Sequence, residues 1–160
     1  MATPEMLEKH RVWLHERLDY KHLFKGYIQA IGFTAHAVDD EGEDRDSLFT
    51  GAGDFDSNWD VWYEIKDIIL DEDLQTIMDD LTAFHTAAEA LVDDDEKRGG
   101  DWEQAGVDFH FTRNSHGAGF WDGDWSNGDE LTSISEPFST LEMEGKRDSN
   151  GELVEVYFHN

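Results

Sequence analysis

Residues 71–92 read DEDLQTIMDDLTAFHTAAEALV, and their apolar residues recur at intervals of three and four. The positions that share this spacing are Leu74, Ile77, Met78, Leu81, Phe84, Ala88 and Leu91. Such a stripe covers one face of an α-helix and leaves the opposite face polar. The spacing therefore predicts a central amphipathic helix, with Asp71 as its N-cap.

Downstream of this helix the apolar residues alternate, which is the period of a half-buried β-strand. Residues 107–112 (VDFHFT) alternate strictly, a turn with glycines follows, and Phe120-Trp121 is predicted as the returning strand. Residues 140–144 and 153–158 alternate as well, and the run at 147–151 between them is typical of a tight turn. The sequence thus predicts two C-terminal hairpins that build a small antiparallel sheet.

Upstream, Thr3-Pro4-Glu5 combines an N-cap hydroxyl, a proline at the first helical position and a carboxylate near the positive end of the helix dipole. These residues predict an N-terminal helix, in one piece or two, that ends near Ile31. Residues 39–60 are predicted as an acidic loop or hairpin, residues 61–65 as a short strand or a helical turn, and residues 129–135 as a short helix.

Length and composition complete the prediction of the fold. The chain has 160 residues, of which 38% are hydrophobic and 12% aromatic, so it can bury a core of its own. Helices followed by a run of strands are typical of the α+β class. Residues 1–160 are therefore predicted to form a single acidic α+β domain.

Charge is the most unusual feature of the composition, because 38 Asp and Glu stand against 12 Lys and Arg, a formal net charge of −26. Residues 1–33 carry a net +1, with five basic and four acidic residues, whereas residues 34–160 carry −27, with seven and 34. A field of this sign repels nucleic acids and anionic membranes and attracts basic surfaces. We therefore expect a basic protein as the partner, with no direct contact to nucleic acid or membrane.

Acid-rich segments supply the candidate contact residues for such a partner. These residues are Asp39, Asp40, Glu41, Glu43, Asp44, Asp79, Asp80, Asp93, Asp94, Asp95 and Glu96. The favoured function is a DNA-mimic-like inhibitor that occupies the nucleic-acid-binding surface of its partner. The alternative is that the acids only solvate the protein, as in a halophilic or a virion structural protein. Six Trp, ten Phe and the nearly neutral N-terminal helix favour the binding interpretation.

Several classes of protein are excluded or disfavoured. The sequence has no cysteine, so disulfides, zinc–thiolate sites and thiol catalysis are excluded. No stretch approaches the roughly 18 apolar residues of a membrane span. Residues 1–12 carry charges where a signal peptide needs an apolar run. We therefore expect a cytoplasmic protein.

Residues 108–122 read DFHFTRNSHGAGFWD and resemble a motif of a family of small phage and mobile-element proteins, whose usual form is D-F-W-L-T-R-N-G-H-G-A-G-F-W-D-R. The resemblance extends to the acidic helix at 71–92 and to the turn and strand at 148–158. It implies a phage or mobile-element origin, and hence the cytoplasm of a host cell. It implies no activity and no catalytic residues.

Three departures separate this chain from the family motif. His110 stands in place of Trp, Ser115 in place of Gly, and Gly123-Asp124 in place of Arg-Gly. The loss of the arginine makes this chain more acidic around the motif.

The motif also supplies a second set of candidate residues, which are predicted to lie on one turn. They are Arg113, Asn114, His116, Trp121 and Asp122. They form either a site or a structural turn stabilised by glycines and by the packing of Trp121. The alternative function, a small metal-dependent hydrolase, would use this turn, with His110, His116, Asp122 and Asp124 as ligands suited to zinc or manganese.

No sequence signature supports a catalytic assignment. The chain has no paired-histidine metalloprotease spacing, no nucleophile elbow and no phosphate-binding loop. We therefore assign no catalytic residue, no metal and no cofactor. Aromatic residues of the N-terminal helix (Trp13, Tyr20, Phe24 and Tyr27) are interpreted as core or, alternatively, as a patch through which a homodimer forms.

Overall fold

The computed structural model describes residues 1–38, 44–47 and 59–159. These residues form six α-helices, one short 3-10 helix and four β-strands. In chain order they are α1 (Pro4–Glu16), α2 (Leu18–Thr34), β1 (His36–Val38), β2 (Asp44–Ser47), α3 (Asp60–Ile65), α4 (Asp71–Asp93), α5 (Trp102–Arg113), the 3-10 helix (Phe120–Asp122), α6 (Gly128–Ser135), β3 (Glu142–Arg147) and β4 (Leu153–His159). The predicted α+β class is confirmed.

The four strands form one mixed sheet in the order β2-β1-β3-β4. β1 pairs antiparallel with β2 and parallel with β3, and β3 pairs antiparallel with β4. The β3–β4 hairpin confirms the second of the two predicted hairpins. In its turn Gly151 has a φ of +79°, and Asp148 Oδ1 accepts hydrogen bonds from the backbone N–H groups of Asn150 and Glu152.

The first predicted hairpin is wrong, because residues 107–112 belong to α5 and Phe120-Trp121 lie in the 3-10 helix. Asp101 is the N-cap of α5, and its side chain accepts a backbone hydrogen bond in the first turn. α5 packs on several sides, and even its polar residues Asp108 and His110 are buried. The half-buried side of α5 carries apolar residues as well, so polar and apolar residues do not separate onto outer and inner faces and show no clear helical period.

The N-terminal helix starts as predicted, since Thr3 Oγ1 accepts a hydrogen bond from the Met6 N–H and Pro4 is the first helical residue. It is in two pieces, because Arg17 takes an extended conformation between α1 and α2. The prediction that Asp71 caps α4 is wrong. The Asp71 carboxylate accepts hydrogen bonds from the backbone N–H and the hydroxyl of Thr3, which ties the start of α4 to the start of α1.

The remaining segments are mostly helical. α4 confirms the central amphipathic helix, α6 confirms the short helix predicted at 129–135, and residues 61–65 form most of α3. Of the acidic segment predicted at 39–60, only β2 and the last two residues lie within the described part of the chain. None of the helices in that part combines the length and apolar character that crossing a bilayer requires.

α2 and α5 cross with their backbones nearly in contact, and two glycines make this possible. A Cβ atom on Gly26 would lie 1.8 Å from the Glu103 carbonyl oxygen, and one on Gly106 would lie 2.1 Å from the Leu23 carbonyl oxygen. Both separations are far inside van der Waals contact, so only glycine fits at either position. Glycine has a lower helix propensity than most residues, but Gly26 is needed here because it permits the close crossing of the two helices.

Aromatic side chains of α1 and α2 fill the core between these helices and α4. Trp13, Tyr20, Phe24 and Tyr27 are each no more than 8% exposed. Their interpretation as core is therefore confirmed. They leave no exposed aromatic patch for self-association, so a homodimer formed through them has no support.

His10 of α1 is buried within this aromatic cluster. Its ring centroid lies 4.5 Å from that of Phe24 and 4.7 Å from that of Trp62. Its Nε2 atom has no hydrogen-bond partner among the described residues. Burial lowers the pKa of His10 from its ordinary 6.5 to about 4.

We predict that Gly106→Ala lowers the free energy of unfolding by about 3 kcal/mol or more, because the added methyl group collides with the backbone of α2. Urea unfolding followed by circular dichroism measures the change. Gly117→Ala is the matched control, since no atom lies within 4 Å of a Cβ at that position. Equal stability of the two variants would contradict the close crossing.

We also predict a pH dependence from His10. Because its pKa is lowered to about 4 in the folded protein, its neutral form supports the fold fully above the ordinary value of 6.5, and that stability is lost as the pH falls toward 4. Replacing it in His10→Leu should remove up to about 1.4 kcal/mol per pH unit of this loss. The measurement is the free energy of unfolding of wild type and variant at several pH values between 7.5 and 5.

Carboxylate protonation acts on both proteins, so the difference between them isolates His10. The exposed His22 offers the matched control, His22→Leu, whose pH profile should follow that of the wild type. The interpretation fails if His10→Leu and wild type keep a constant stability difference across this range.

Candidate acidic interface

Carboxylates dominate the exposed surface of the protein. Eight of the 38 acidic residues fall between positions 39 and 56, and the side chains of the remaining 30 are described. Of these 30, 18 are exposed, whereas only five Lys and Arg are exposed in the same part of the chain. The negative charge of the sequence therefore lies on the surface, where a partner can reach it.

The structure places the predicted acidic contact residues in three different settings. Asp39, Asp40, Glu41 and Glu43 lie outside the described residues, and Asp44 is the first residue of β2. The exposed members are Asp79, Asp93, Asp94 and Glu96. The other two have internal roles, which corrects the prediction for them: Asp80 is partly buried in an ion pair with Arg113, and Asp95 is only 5% exposed.

Asp95 connects two loops through its buried carboxylate. Oδ1 accepts hydrogen bonds from the backbone N–H groups of Lys97, Arg98 and Ser126, and Oδ2 accepts one from that of Asn127. Burial acts to raise the pKa of Asp95, but these four donors outweigh it and hold the pKa below its ordinary range. The segment after α4 is thereby fixed against the segment before α6.

This connection assembles a surface that we call the acidic cap. It consists of seven exposed acids on three segments: Asp93, Asp94, Glu96, Asp122, Asp124, Asp129 and Glu130. Of the basic residues of these segments, Arg98 pairs with Asp101, whereas Lys97 Nζ donates to the neutral Gly123 carbonyl and keeps its positive charge within the cap. The cap therefore carries a large excess of negative charge.

A second acidic feature is a groove of about 510 Å³ between α1 and α4. Its apolar lining comes from Val12, Trp13 and Met78. One cation, Lys9, and four carboxylates line it as well, the carboxylates being Glu5, Glu8, Glu16 and Asp79. The near-zero charge of residues 1–33 hid this groove from sequence reasoning, because a count of charges does not say which face of a helix carries them.

Arg113 of the motif is a buried structural residue. Its Nε and Nη2 donate to the Ser139 carbonyl at 3.0 and 2.8 Å, Nη1 donates to the Tyr27 hydroxyl at 3.2 Å, and Nη2 also contacts Asp80 Oδ2 at 2.8 Å. The guanidinium is also stacked near the Phe109 ring, 5.3 Å from its centroid. Arg113 thus joins α2, α4 and α5 to the segment before β3.

The side-chain amide of Asn114 adds to this connection, because it pairs with the backbone of the segment before β3 as a neighbouring strand would. Its Oδ1 accepts a hydrogen bond from the Leu141 N–H, and its Nδ2 donates to the Leu141 carbonyl. The amide Nδ2 also faces His110 Nδ1 at 3.3 Å, so that ring nitrogen must accept. The proton of His110 therefore sits on Nε2, 2.8 Å from Thr34 Oγ1, which accepts it.

The neutral state of His110 follows from its surroundings. Burial, followed by the nearby charges of His116 and Arg113, lowers its pKa to about 3. A ring that is fully buried, with both nitrogens engaged, is not free to bind a ligand.

The predicted motif residues do not converge on one site. Arg113 and Asn114 point into the core, whereas Trp121 is 53% exposed and Asp122 is exposed. His116 Nε2 lies 2.7 Å from Glu142 Oε1 of β3. In the described part of the chain, the four histidines and aspartates considered as metal ligands do not come together around one point. The structural interpretation of the motif therefore holds, in a helix terminus and not in a hairpin.

Comparison with known proteins adds no assignment: no protein-family model, no curated protein and no solved structure matches this chain.

We predict that Asp95→Ala lowers the free energy of unfolding by about 2–5 kcal/mol at pH 7, because buried backbone N–H groups lose their acceptor. Because the pKa of Asp95 is lowered in the folded protein, this contribution is present above the ordinary value of 3.8 and is lost as the pH falls below it. The measurement is urea unfolding at pH 7. The neighbouring exposed Asp94→Ala should change the stability by no more than about 0.5 kcal/mol, and equal losses would contradict the role of Asp95.

Proposed function

We propose that this protein binds the basic, nucleic-acid-binding surface of another protein, and that the acidic cap is its contact surface. The supporting observation is the cap itself. Seven exposed carboxylates lie on segments that the buried Asp95 connects, Arg98 is paired with Asp101, and Lys97 adds one exposed cation. A fixed array of negative charge is what a surface that binds phosphates recognises.

The physical basis of such binding is electrostatic. A basic surface in solution carries bound anions, and an acidic partner that replaces them releases these ions. The affinity should therefore fall steeply with salt concentration, and nucleic acid should compete for the same surface. The acidic groove between α1 and α4 adds a place where the apolar stem and charged end of a Lys or Arg side chain fit together.

The nature of the partner rests on the resemblance of residues 108–122 to phage and mobile-element proteins. Small acidic proteins of such origin gain by occupying a host or defence protein that would otherwise act on nucleic acid. We therefore propose an inhibitor that works by occupancy in the cytoplasm of a host cell. Arg113 and Asn114 support the fold in this scheme, and the motif contributes to binding only by placing Asp122 and Asp124 in the cap.

Two other functions stay as predictions that nothing here tests. A hydrolase based on the motif turn would have to use His116 and Asp122 without Arg113 and Asn114, whose side chains are buried. A halophilic or virion structural protein would need only that the acids be solvated. Neither alternative has a specific observation in its favour, whereas the cap has one for binding.

We predict that a quadruple variant of the cap (Asp94→Asn, Glu96→Gln, Asp124→Asn, Glu130→Gln) binds the partner with about 1–4 kcal/mol less binding free energy. The partner is first captured from a host lysate at about 0.1 M salt and identified by its mass. The dissociation constants of wild type and variant are then measured by calorimetry at two salt concentrations, with and without a DNA competitor.

The matched control removes four exposed carboxylates outside the cap: Glu72→Gln, Glu136→Gln, Glu152→Gln and Glu155→Gln. It changes the net charge by the same amount, so it separates the cap from the overall field. The proposal predicts a much smaller loss for the control than for the cap variant. Equal losses would show that only net charge matters, and binding that DNA does not displace would contradict the mimic.

A further inference from the structure

Three side chains that can bind a metal ion meet between α2 and α4. Asp19 lies in the first turn of α2, and His85 and Glu89 lie one turn apart on α4. His85 Nε2 is 2.9 Å from Asp19 Oδ2 and 3.7 Å from Glu89 Oε2. All three atoms lie within 4.8 Å of one another, which no other such group does in the described part of the chain.

The histidine of this group is held rigidly from the protein side. Its side chain is 4% exposed, and its ring lies 4.5 Å from the Trp102 ring and 5.2 Å from the Tyr20 ring. The two carboxylates are more open, with 32% of the Asp19 side chain and 48% of the Glu89 side chain exposed. The histidine is thus packed against the protein, whereas the two carboxylates are open to solvent, from which an ion and its water ligands can enter.

We propose that Asp19, His85 and Glu89 bind a divalent first-row transition-metal ion such as Zn²⁺. Metal–ligand bonds of about 2.0–2.2 Å place neighbouring ligand atoms about 2.8–3.6 Å apart. The 2.9 Å between His85 Nε2 and Asp19 Oδ2 falls within this range, and the 3.7 Å to Glu89 Oε2 lies just above it, so a small rotation of the Glu89 side chain completes the geometry. The imidazole nitrogen favours zinc and similar ions over magnesium and calcium, which prefer oxygen ligands.

Binding must displace the existing contacts of these groups. A metal ion binds the imidazole through the lone pair of Nε2, so the neutral ring must carry its proton on Nδ1, and the hydrogen bond from Nε2 to Asp19 is lost. Arg17 Nη1 lies 3.4 Å from Glu89 Oε2 and competes with the metal for this carboxylate.

A signal for this site exists in the sequence but is weak. His85 and Glu89 have the i, i+4 spacing that places two ligands on one face of a helix. The third ligand, Asp19, is 66 residues away and comes close only through the packing of α2 on α4. In a chain with 38 acidic residues, a single histidine followed by a glutamate could not be told from chance.

Zinc titration of chelator-treated protein tests the proposal, with calorimetry for affinity and stoichiometry. We expect one saturable site per chain and a rise in melting temperature of about 5–10 °C at 100 times the dissociation constant. Glu89→Gln should weaken binding at least tenfold. Co²⁺ in place of Zn²⁺ should give a visible absorption spectrum that this variant loses.

One further variant and two controls decide between a metal site and a purely structural contact. Arg17→Gln removes the competing cation, so it should tighten zinc binding several-fold, whereas a structural ion pair would make this variant less stable and leave its zinc affinity unchanged. The exposed His22→Ala and Glu72→Gln are controls for binding by scattered histidines and acids and should bind as wild type does. Unsaturable binding, or equal affinity of wild type and Glu89→Gln, overturns the proposal.

Discussion

The close crossing of α2 and α5 is the constraint on which the rest of this structure depends. With glycine at 26 and 106, the two backbones approach until a single methyl group would not fit between them. The C-terminal end of α5 is thereby positioned near the end of α2, from which β1 begins. Arg113 and Asn114 then reach from that end to the segment that enters β3, the neighbour of β1 in the sheet. Contacts from the end of α5 therefore link the packed helices to the sheet.

Residues of the motif at 108–122 make the contacts that hold the end of α5 and the turn after it in place. Asp108 accepts a hydrogen bond from the Trp125 indole, and Thr112 Oγ1 accepts one from the Phe120 N–H. Burial raises the pKa of Asp108, which is the expected consequence of placing a carboxyl group inside the fold. Gly119 has a φ of +156°, and a Cβ there would collide with the Thr112 hydroxyl. A long and specific motif can therefore encode a helix terminus and the turn that follows it, without encoding a site.

The sequence could predict those elements whose residues separate into a buried and a solvated face. α4, α6, the start of α1 and the β3–β4 hairpin have such patterns, and they were predicted correctly. In α5 polar residues are buried and apolar residues lie on the half-buried side, so the helical period was hidden and the helix was mistaken for a strand. The high charge was readable from composition, but the inward direction of Asp95 was not, because four consecutive acids look alike until the loops around them are placed.

The buried carboxylate of Asp95 has a consequence for how such a protein can change in evolution. Its neighbours Asp94 and Glu96 point outward, and an acidic residue there can be exchanged for one at another nearby position without loss of the collective field. Asp95 cannot be exchanged in this way, because four backbone N–H groups donate to its carboxylate and a side chain of another length would not reach them. The charge pattern of the surface can therefore change one carboxylate at a time, while a single inward residue preserves the fold beneath it.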